Sequence, residues 1–418
     1  MSLEHSHRAE LCRGEMACLD DLSRDVYGVL GIPIDAVDLS AVIQRIQAAM
    51  RRDAPFLIST PNLNFLVSSQ SDREFRESLL QSDLNPVDGV PIVWISRLLG
   101  IPIEMRVAGS DIFDRLKLEQ SASVKVFLFG GPDGVAETCS SVLNAQASGV
   151  VCVGTLFPGF GSVEDMSTDA IIDAVNASDA RFLVASLGAQ KGQSWLLKNH
   201  HRLRVPVRSH LGAAINFQAG LLKLAPLFVR RFGFEWLWRI KEEPHLWKRY
   251  FEDGLILLKL VLTSVIPLAF GAIWRRQFGS GDVELTVSLR DRSPNNKTLV
   301  LTGDACARHV EKTIPIFRRA IEQSDHLMID LSNVRSIDPR FFGLLLMVRK
   351  QMAARGGRLQ LSGVSPRLER AFRLNRFDFL LGSSEVVAEN QLRHIASREI
   401  AFAHPEVAVE VSSSTGTP

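Results

Sequence analysis

The 418-residue chain has no cysteine framework. Its five cysteines, Cys12, Cys18, Cys139, Cys152 and Cys306, are odd in number, and no pair has C-x-x-C spacing. No histidine lies near them at zinc-ligand spacing, so the thiols read as free in a reducing cytosol. Charge of one sign is missing too. Against 46 Asp+Glu stand 48 Lys+Arg, a net of +2, which leaves no global footprint of a nucleic-acid binder. There is no Walker motif, no complete G-x-G-x-x-G and no internal repeat. The N-terminus mixes charges (Glu4, His5, His7, Arg8, Glu10) and has no apolar core before a cleavage site, so no secretory signal is expected. His5-Ser6-His7 reads as solvated tail rather than as metal ligands. What is left is ordinary globular composition, 46% hydrophobic and 22% charged, long enough for two or three domains. Mean hydropathy is nevertheless +0.09 with only 7% aromatics, so apolar sequence is concentrated somewhere.

Short apolar runs alternate with helical patterns from about Tyr27 onward. Asp38-Leu39-Ser40 reads as an N-cap before an amphipathic helix. Phe56–Thr60, Val124–Phe129, Arg181–Gly188 and Val205–Val207 read as buried strands, each followed by a polar or glycine-bearing turn. This alternation predicts a parallel sheet covered on both faces. After Arg239 come an apolar stretch, Leu255–Trp274, and a second α/β unit over about 282–381. Its first strand alternates Val283, Leu285, Val287 and Leu289 on one face. Further strands are expected at Thr298–Leu301 and Leu327–Leu331, and helices at 308–323, 341–355 and 366–375. Residues 386–418 end in Ser-Ser-Ser-Thr-Gly-Thr-Pro and read as a tail.

Ligands of open α/β sheets sit beyond the carboxyl ends of the strands. Three polar clusters fall there: Thr60-Pro61-Asn62, Asp88-Gly89, and Arg106-Val-Ala-Gly109-Ser-Asp111. An aspartate beside a glycine at a strand end is placed like a general base with backbone access beside it, although a plain Asp-Gly turn has the same sequence. Gly130-Gly131-Pro132-Asp133-Gly134 offers backbone N–H groups to a phosphate, or is a plain glycine-rich strand-to-helix turn.

In order along the chain stand Thr60-Pro-Asn-Leu-Asn64, Asp88-Gly-Val-Pro-Ile-Val-Trp94, Arg106-Val-Ala-Gly-Ser-Asp111, Phe129-Gly-Gly-Pro132, Leu187-Gly188 with Gln190-Lys191, Leu211-Gly-Ala-Ala-Ile-Asn-Phe217, Gly233-Phe-Glu-Trp236 with Arg239, and Glu243-Pro244. The set resembles the WecG/TagA/CpsF glycosyltransferases over about residues 27–250. The resemblance implies inverting transfer of a hexosyl or N-acetylhexosaminyl group from a UDP-sugar to an acceptor sugar on undecaprenyl diphosphate, in bacterial surface polysaccharide or exopolysaccharide synthesis. It implies Asp88 as the base, with Thr60, Asn62, Arg106, Asp111, Gln190, Arg239 and Arg249 binding substrates. The family lacks an Asp-x-Asp metal site, and none occurs here, so no cofactor and no metal are expected. Two departures stand out. The family's Gly-x-Pro-x-Gln-Glu is Gly188-Ala-Gln190-Lys-Gly192-Gln193 here, which loses a carboxylate, and Leu246 replaces an arginine. A catalytically impaired scaffold of a polysaccharide assembly complex is the alternative these departures leave.

Arg230, Arg231, Arg239, Lys241, Lys248 and Arg249 crowd a segment with Trp236, Trp238 and Trp247, a pattern of either a solvated helix face or a lipid-facing surface. Leu255–Trp274 holds one charge, Lys259, in twenty residues, enough to cross a bilayer by length. A single span would put the two α/β units on opposite sides of the membrane. The expectation is therefore a helix in the membrane plane or shallowly inserted, or a hairpin broken near Pro267; a helix buried in a domain or dimer interface is the other reading. Leu327-Met-Ile-Asp330-Leu-Ser332, then Ser336-Ile-Asp338, then Gly343-Leu-Leu345 resemble a STAS domain. In the switching members of that family a phosphorylatable serine follows the second aspartate; here Pro339-Arg340-Phe341 follows it. That points to a docking module, a nucleotide sensor or a dimer interface rather than a phospho-switch. The expected whole is α/β: leader 1–26, a Rossmann-like transferase domain 27–250, an apolar segment and linker 251–281, a smaller STAS domain 282–385 that offers a protein partner a surface, and tail 386–418. It would work at the cytoplasmic face of the inner membrane and bind no nucleic acid.

Overall fold

Val26–Val29 (β1) and Ile32–Asp35 (β2) pair antiparallel about Leu30-Gly31. Both turn residues take positive φ, 46° and 93°, which matches the twist a two-residue hairpin requires. A computed structural model describes residues 20–382 apart from 120–122, 147, 213, 224, 227, 230–232, 279–282 and 294. The His5-Ser6-His7 reading, Arg230, Arg231, the Gly279–Gly281 linker and the tail thus lie outside the described residues. After the hairpin, the Asp38 carboxylate accepts from Ala41 N and starts the helix Leu39–Arg52, as the sequence predicts.

Phe56–Ile58 (β3), Val124–Gly130 (β4), Val150–Leu156 (β5), Phe182–Ser186 (β6) and Val207–His210 (β7) form one sheet in the order β3-β7-β6-β4-β5, every pair parallel. The central strands are buried along nearly their whole length, because helices cover both faces. Single bridges from Ile58 to Leu84 and from Asp35 to Pro86 continue the β3 edge toward the hairpin. The Leu84–Asp88 segment therefore joins the carboxyl edge of the sheet without being a strand itself.

The apolar segment is one helical run. Trp247–Leu260 passes through a π-helical turn, Val261–Val265, into Ile266–Phe278. No hairpin forms at Pro267. The wider turn just before it relieves the clash that a proline ring makes with the preceding turn. Leu257, Leu260, Val261, Ser264 and Val265 share a face at helical spacing. The apolar ones pack into the same cluster as Phe65, Leu66 and the hairpin, so the run lies along the protein. Leu255, Leu258, Leu262, Ile266, Phe270 and Ile273 stay exposed. Only 17% of its most apolar window is buried within the chain, so the helix is not buried in a domain core.

In the C-terminal unit Thr286–Ser293 (β8), Asn296–Ala305 (β9), His326–Ile337 (β10) and Arg358–Ser362 (β11) are ordered β11-β10-β9-β8, with β8 antiparallel to β9 and the other pairs parallel. Helices run Ala307–Glu322, Pro339–Ala354 and Pro366–Leu374. Asp338 caps the second, accepting from Phe341 N at 2.9 Å and from Ala307 N at 2.7 Å.

The Pro339–Ala354 helix docks on β1. A methyl on Gly343 would stand 1.9 Å from the Val26 carbonyl, and one on Gly28 2.7 Å from Phe342 Cβ. Two glycines thus let backbone meet backbone across the seam. Leu22, Val26 and Leu80 share one core with Phe341, Phe342, Leu345 and Phe377. A buried ion cluster crosses the same seam. Arg24 grips Asp35 with two bonds of 3.0 and 2.7 Å, and Lys350 reaches Asp83 at 2.6 Å and Asp21 at 3.1 Å. Burial raises the pKa of Asp21, but Lys350 and Arg24 outweigh it and the net shift is downward. Arg349 pairs with both oxygens of Glu77. Residues 20–26, expected in the leader, are therefore ordered and carry part of the seam. This face of the second unit is occupied by the protein's own first unit.

Candidate active site

Asp88 sits where the bridged segment Leu84–Val87 ends and the helix Val90–Leu98 begins. Its N–H donates to the Pro61 carbonyl at 2.8 Å, and Val107 N donates to the Val87 carbonyl at 2.6 Å. These two bonds bring the three polar clusters to one place. Gly89 takes φ 144°, and a methyl there would lie 3.5 Å from Asn62 Cβ. Asn62 itself caps the helix Leu63–Ser71, with its side-chain oxygen accepting from Phe65 N. Thr60 is buried beside it at the end of β3. Asp111 accepts from Ala108 N at 3.2 Å in the first turn of the helix Gly109–Lys117.

A chain of three charges crosses this floor. Arg106 Nη1 stands 3.8 Å from an Asp88 oxygen and 2.6 Å from Glu235 Oε2. Glu235 opens the helix Glu235–Glu242, so it arrives from the segment after the sheet. Gly233 makes that approach possible: a methyl there would meet Val90 Cγ1 at 2.8 Å. Burial pushes the Asp88 carboxyl up to about 7. Arg106 and the Gly109 N–H oppose the rise, while Glu235 and Asp111 add to it. A quarter of the Asp88 side chain remains open to solvent. A half-protonated carboxyl at neutral pH, reachable from outside, has the form of a general base or acid.

The other predicted residues stand apart from this floor. Gln190 is exposed in the first turn after β6. Arg239 pairs with Glu243 at 2.6 Å and lies over the Phe217 ring. Arg249 is exposed early in the Trp247–Leu260 helix, over Tyr250. Gln193, which takes the place of a family carboxylate, is fully buried and accepts from Ser59 Oγ at 3.0 Å, and Ser59 meets Ser82 at 2.7 Å. The lost charge therefore falls in a neutral network behind β3. Among the described residues no three His, Cys, Asp or Glu converge so as to hold a metal ion.

Residues 27–269 match the Glycosyl transferase WecG/TagA/CpsF family. The chain belongs to this family. Residues 288–382 match the Mlab, STAS domain family. Among curated WecG/TagA/CpsF relatives, an N-acetylglucosaminyldiphosphoundecaprenol N-acetyl-beta-D-mannosaminyltransferase of Bacillus spizizenii is 26% identical over 58% of this chain and 87% of its own length. Proteins of the same name from Bacillus subtilis and Staphylococcus aureus are 24% and 21% identical, over 46% and 53% of this chain and 74% and 85% of their own. Among solved structures, the anti-sigma factor antagonist SpoIIAA in its unphosphorylated form aligns with 27% of this chain and 97% of its own at 16% identity and TM-score 0.22. Within the WecG/TagA/CpsF unit, Glu235 stands in a motif of the sequence with nothing local to place it in the site. Its partner Arg106 is 129 residues away, and only the fold shows that distance closed. The one signal in the sequence is an acid at the first position of a helix that continues with two tryptophans and an arginine.

Proposed function

We propose that the protein transfers a sugar from a UDP-sugar, with inversion, to an acceptor sugar on a polyprenyl diphosphate. The observation that carries this reading is Asp88, a partly open carboxyl raised to about 7 at the carboxyl edge of the sheet. Asp88 takes the proton of the acceptor hydroxyl as the acceptor oxygen forms its bond to the donor anomeric carbon. The bond from that carbon to the UDP oxygen breaks on the opposite face, and UDP leaves with the electron pair. Base and leaving group therefore stand on opposite sides of the sugar ring. Arg106, 3.8 Å from the base, belongs to the acceptor's side, where it suits a diphosphate better than it suits the departing UDP. Thr60, Asn62 and Asp111 shape the acceptor and sugar pocket. Gln190, past β6, suits the nucleotide. Arg239 and Arg249 bring positive charge from the segment that also carries the exposed apolar helix.

That helix supports work at a membrane surface. Trp247 and Trp274 are exposed along it with Leu255, Leu262 and Phe270, and Trp236 is exposed on the preceding helix, the residue types that settle at headgroup level and just below. A nucleotide-sugar donor implies the cytoplasmic face. The relatives' names support a lipid-diphosphate acceptor, and an N-acetylhexosamine donor is the first to try. No metal is required in this reading, so turnover should persist in excess EDTA. The test is UDP release with a polyprenyl-diphosphate-linked N-acetylglucosamine acceptor across a panel of UDP-sugars. Turnover by wild type and its loss in Asp88→Asn are expected; equal rates for the two across every donor would overturn the enzyme reading.

A further inference from the structure

The exposed helix meets the C-terminal unit at a cleft that the transfer reaction does not use. It is an open cleft of about 480 Å³. One wall is Thr263 and Ser264, in the π-helical turn. The other is the helix Pro366–Leu374 and the turn after it, which contribute Arg370, Arg373 and Arg376. Three guanidinium groups and two hydroxyls therefore face one space, and Leu262 and Ile266 stand exposed immediately beside Thr263 on the same helical run.

Arg376 is built into this cleft. It is held at φ +61°, a conformation that glycine normally supplies after a helix and that strains a branched backbone. Its Nη2 donates to Thr263 Oγ1 at 3.3 Å, and its Nε is buried with no partner. A buried guanidinium N–H left unpaired is costly, and Arg376 is one of the residues that line the cleft. Arg370 is exposed and makes no ion pair among the described residues. Arg373 has Glu369 at 3.4 Å, with both side chains at least half exposed, a pair weak enough to be exchanged for a stronger anion.

We infer that this cleft binds the phosphate of an anionic phospholipid headgroup while the neighbouring apolar stripe enters the acyl region. Guanidinium groups suit phosphate oxygens bidentately, and the position of the cleft against exposed Leu262 and Ile266 selects a lipid over a soluble phosphate. The second α/β unit then acts as half of a lipid clamp, and its other face is already spent on the first unit. The inference rests on the membrane reading above and adds to it a headgroup preference and the residues that set it.

The test is co-sedimentation of the full chain with vesicles of phosphatidylcholine, and with the same vesicles containing phosphatidylglycerol. Wild type should bind both and prefer the anionic ones. Arg370→Ala/Arg373→Ala should lose about fivefold in affinity per arginine, roughly twenty-five-fold together, for anionic vesicles only, with binding to neutral vesicles and UDP release on a short-chain soluble acceptor unchanged. Both residues are exposed, so folding is not at stake. Leu262→Asp/Ile266→Asp should weaken binding to both vesicle types. If the double arginine variant keeps the anionic preference, the cleft is not the headgroup site. If wild type binds both vesicles equally, or if inorganic phosphate alone stabilises the protein through these arginines with no anionic preference, the lipid assignment fails while membrane binding stands. Failure to bind either vesicle would instead overturn the membrane reading.

Discussion

Asp88→Asn should stabilise the protein while removing its activity, and the two effects should separate by pH. The wild-type carboxyl is raised from 3.8 to about 7 in the fold. A group raised in this way contributes stability below its unfolded pKa and loses it as pH climbs through the folded one. Between about pH 4 and 7 the native state is thus progressively penalised for having to ionise Asp88, and above that the penalty is constant. At 1.36 kcal/mol per pH unit the ceiling is ~4 kcal/mol. The partial exposure of the side chain and a relaxing neighbourhood bring the expected gain of the isosteric amide to about 1–2 kcal/mol near pH 8, or roughly 2–6 °C in Tm. Thermal melts of both proteins from about pH 4 to pH 8 test it. The curves should converge at the acidic end and part toward neutrality, and kcat should fall about 10²–10⁴-fold in the variant. If Asp88→Asn is no more stable than wild type near pH 8, or is more stable by the same amount at pH 4, the burial argument for a raised carboxyl is wrong.

Glu235→Gln removes one of the negative charges that raise Asp88, so the acidic limb of the kcat/KM profile should move to lower pH; an unmoved limb means that Glu235 does not tune the base. Gly343→Ala places a methyl 1.9 Å from the Val26 carbonyl and should destabilise both units together by about 2–3 kcal/mol, read as a common drop in denaturant midpoint followed by probes in each unit. Lys350→Ala leaves Asp21 and Asp83 without their shared cation and should cost about 3 kcal/mol, checked by urea unfolding near neutral pH. Gln193→Glu, which restores the family carboxylate in a buried neutral network with Ser59, should destabilise by about 1–3 kcal/mol without raising kcat, as differential scanning and initial rates would show.

Local signals carried far. Val124–Phe129 and Arg181–Gly188 could be read as buried strands because a strand covered on both faces is largely apolar, and Leu327–Leu331 because Leu327, Ile329 and Leu331 alternate onto one buried face. The helices Ala307–Glu322 and Pro366–Leu374 could be placed because their apolar positions recur at helical period, and Asp38 marked its helix because a cap is a contact between near neighbours. Thr60, Asn62, Asp88 and Arg106 could be grouped because the carboxyl ends of parallel strands converge. The hairpin at Val26–Asp35 has no local signal, since Tyr27, Val29, Ile32 and Ile34 are buried against Phe65, Phe75 and Leu260 and Val26 against the second unit, all of them distant along the chain. Gly154 within β5 likewise answers to a distant residue: a methyl there would stand 2.6 Å from the Phe127 ring.

The sequence by itself determined the two α/β units, their family resemblances and the apolar stretch between them, because propensity, periodicity and motif are local. Only the tertiary structure decided that the stretch lies along the protein with one apolar face free, that the second unit is clamped on β1 through Gly28 and Gly343, and that Glu235 reaches Arg106 beside Asp88. Each of these depends on surfaces far apart in the chain meeting with complementary shape and charge, and no local pattern encodes such a meeting.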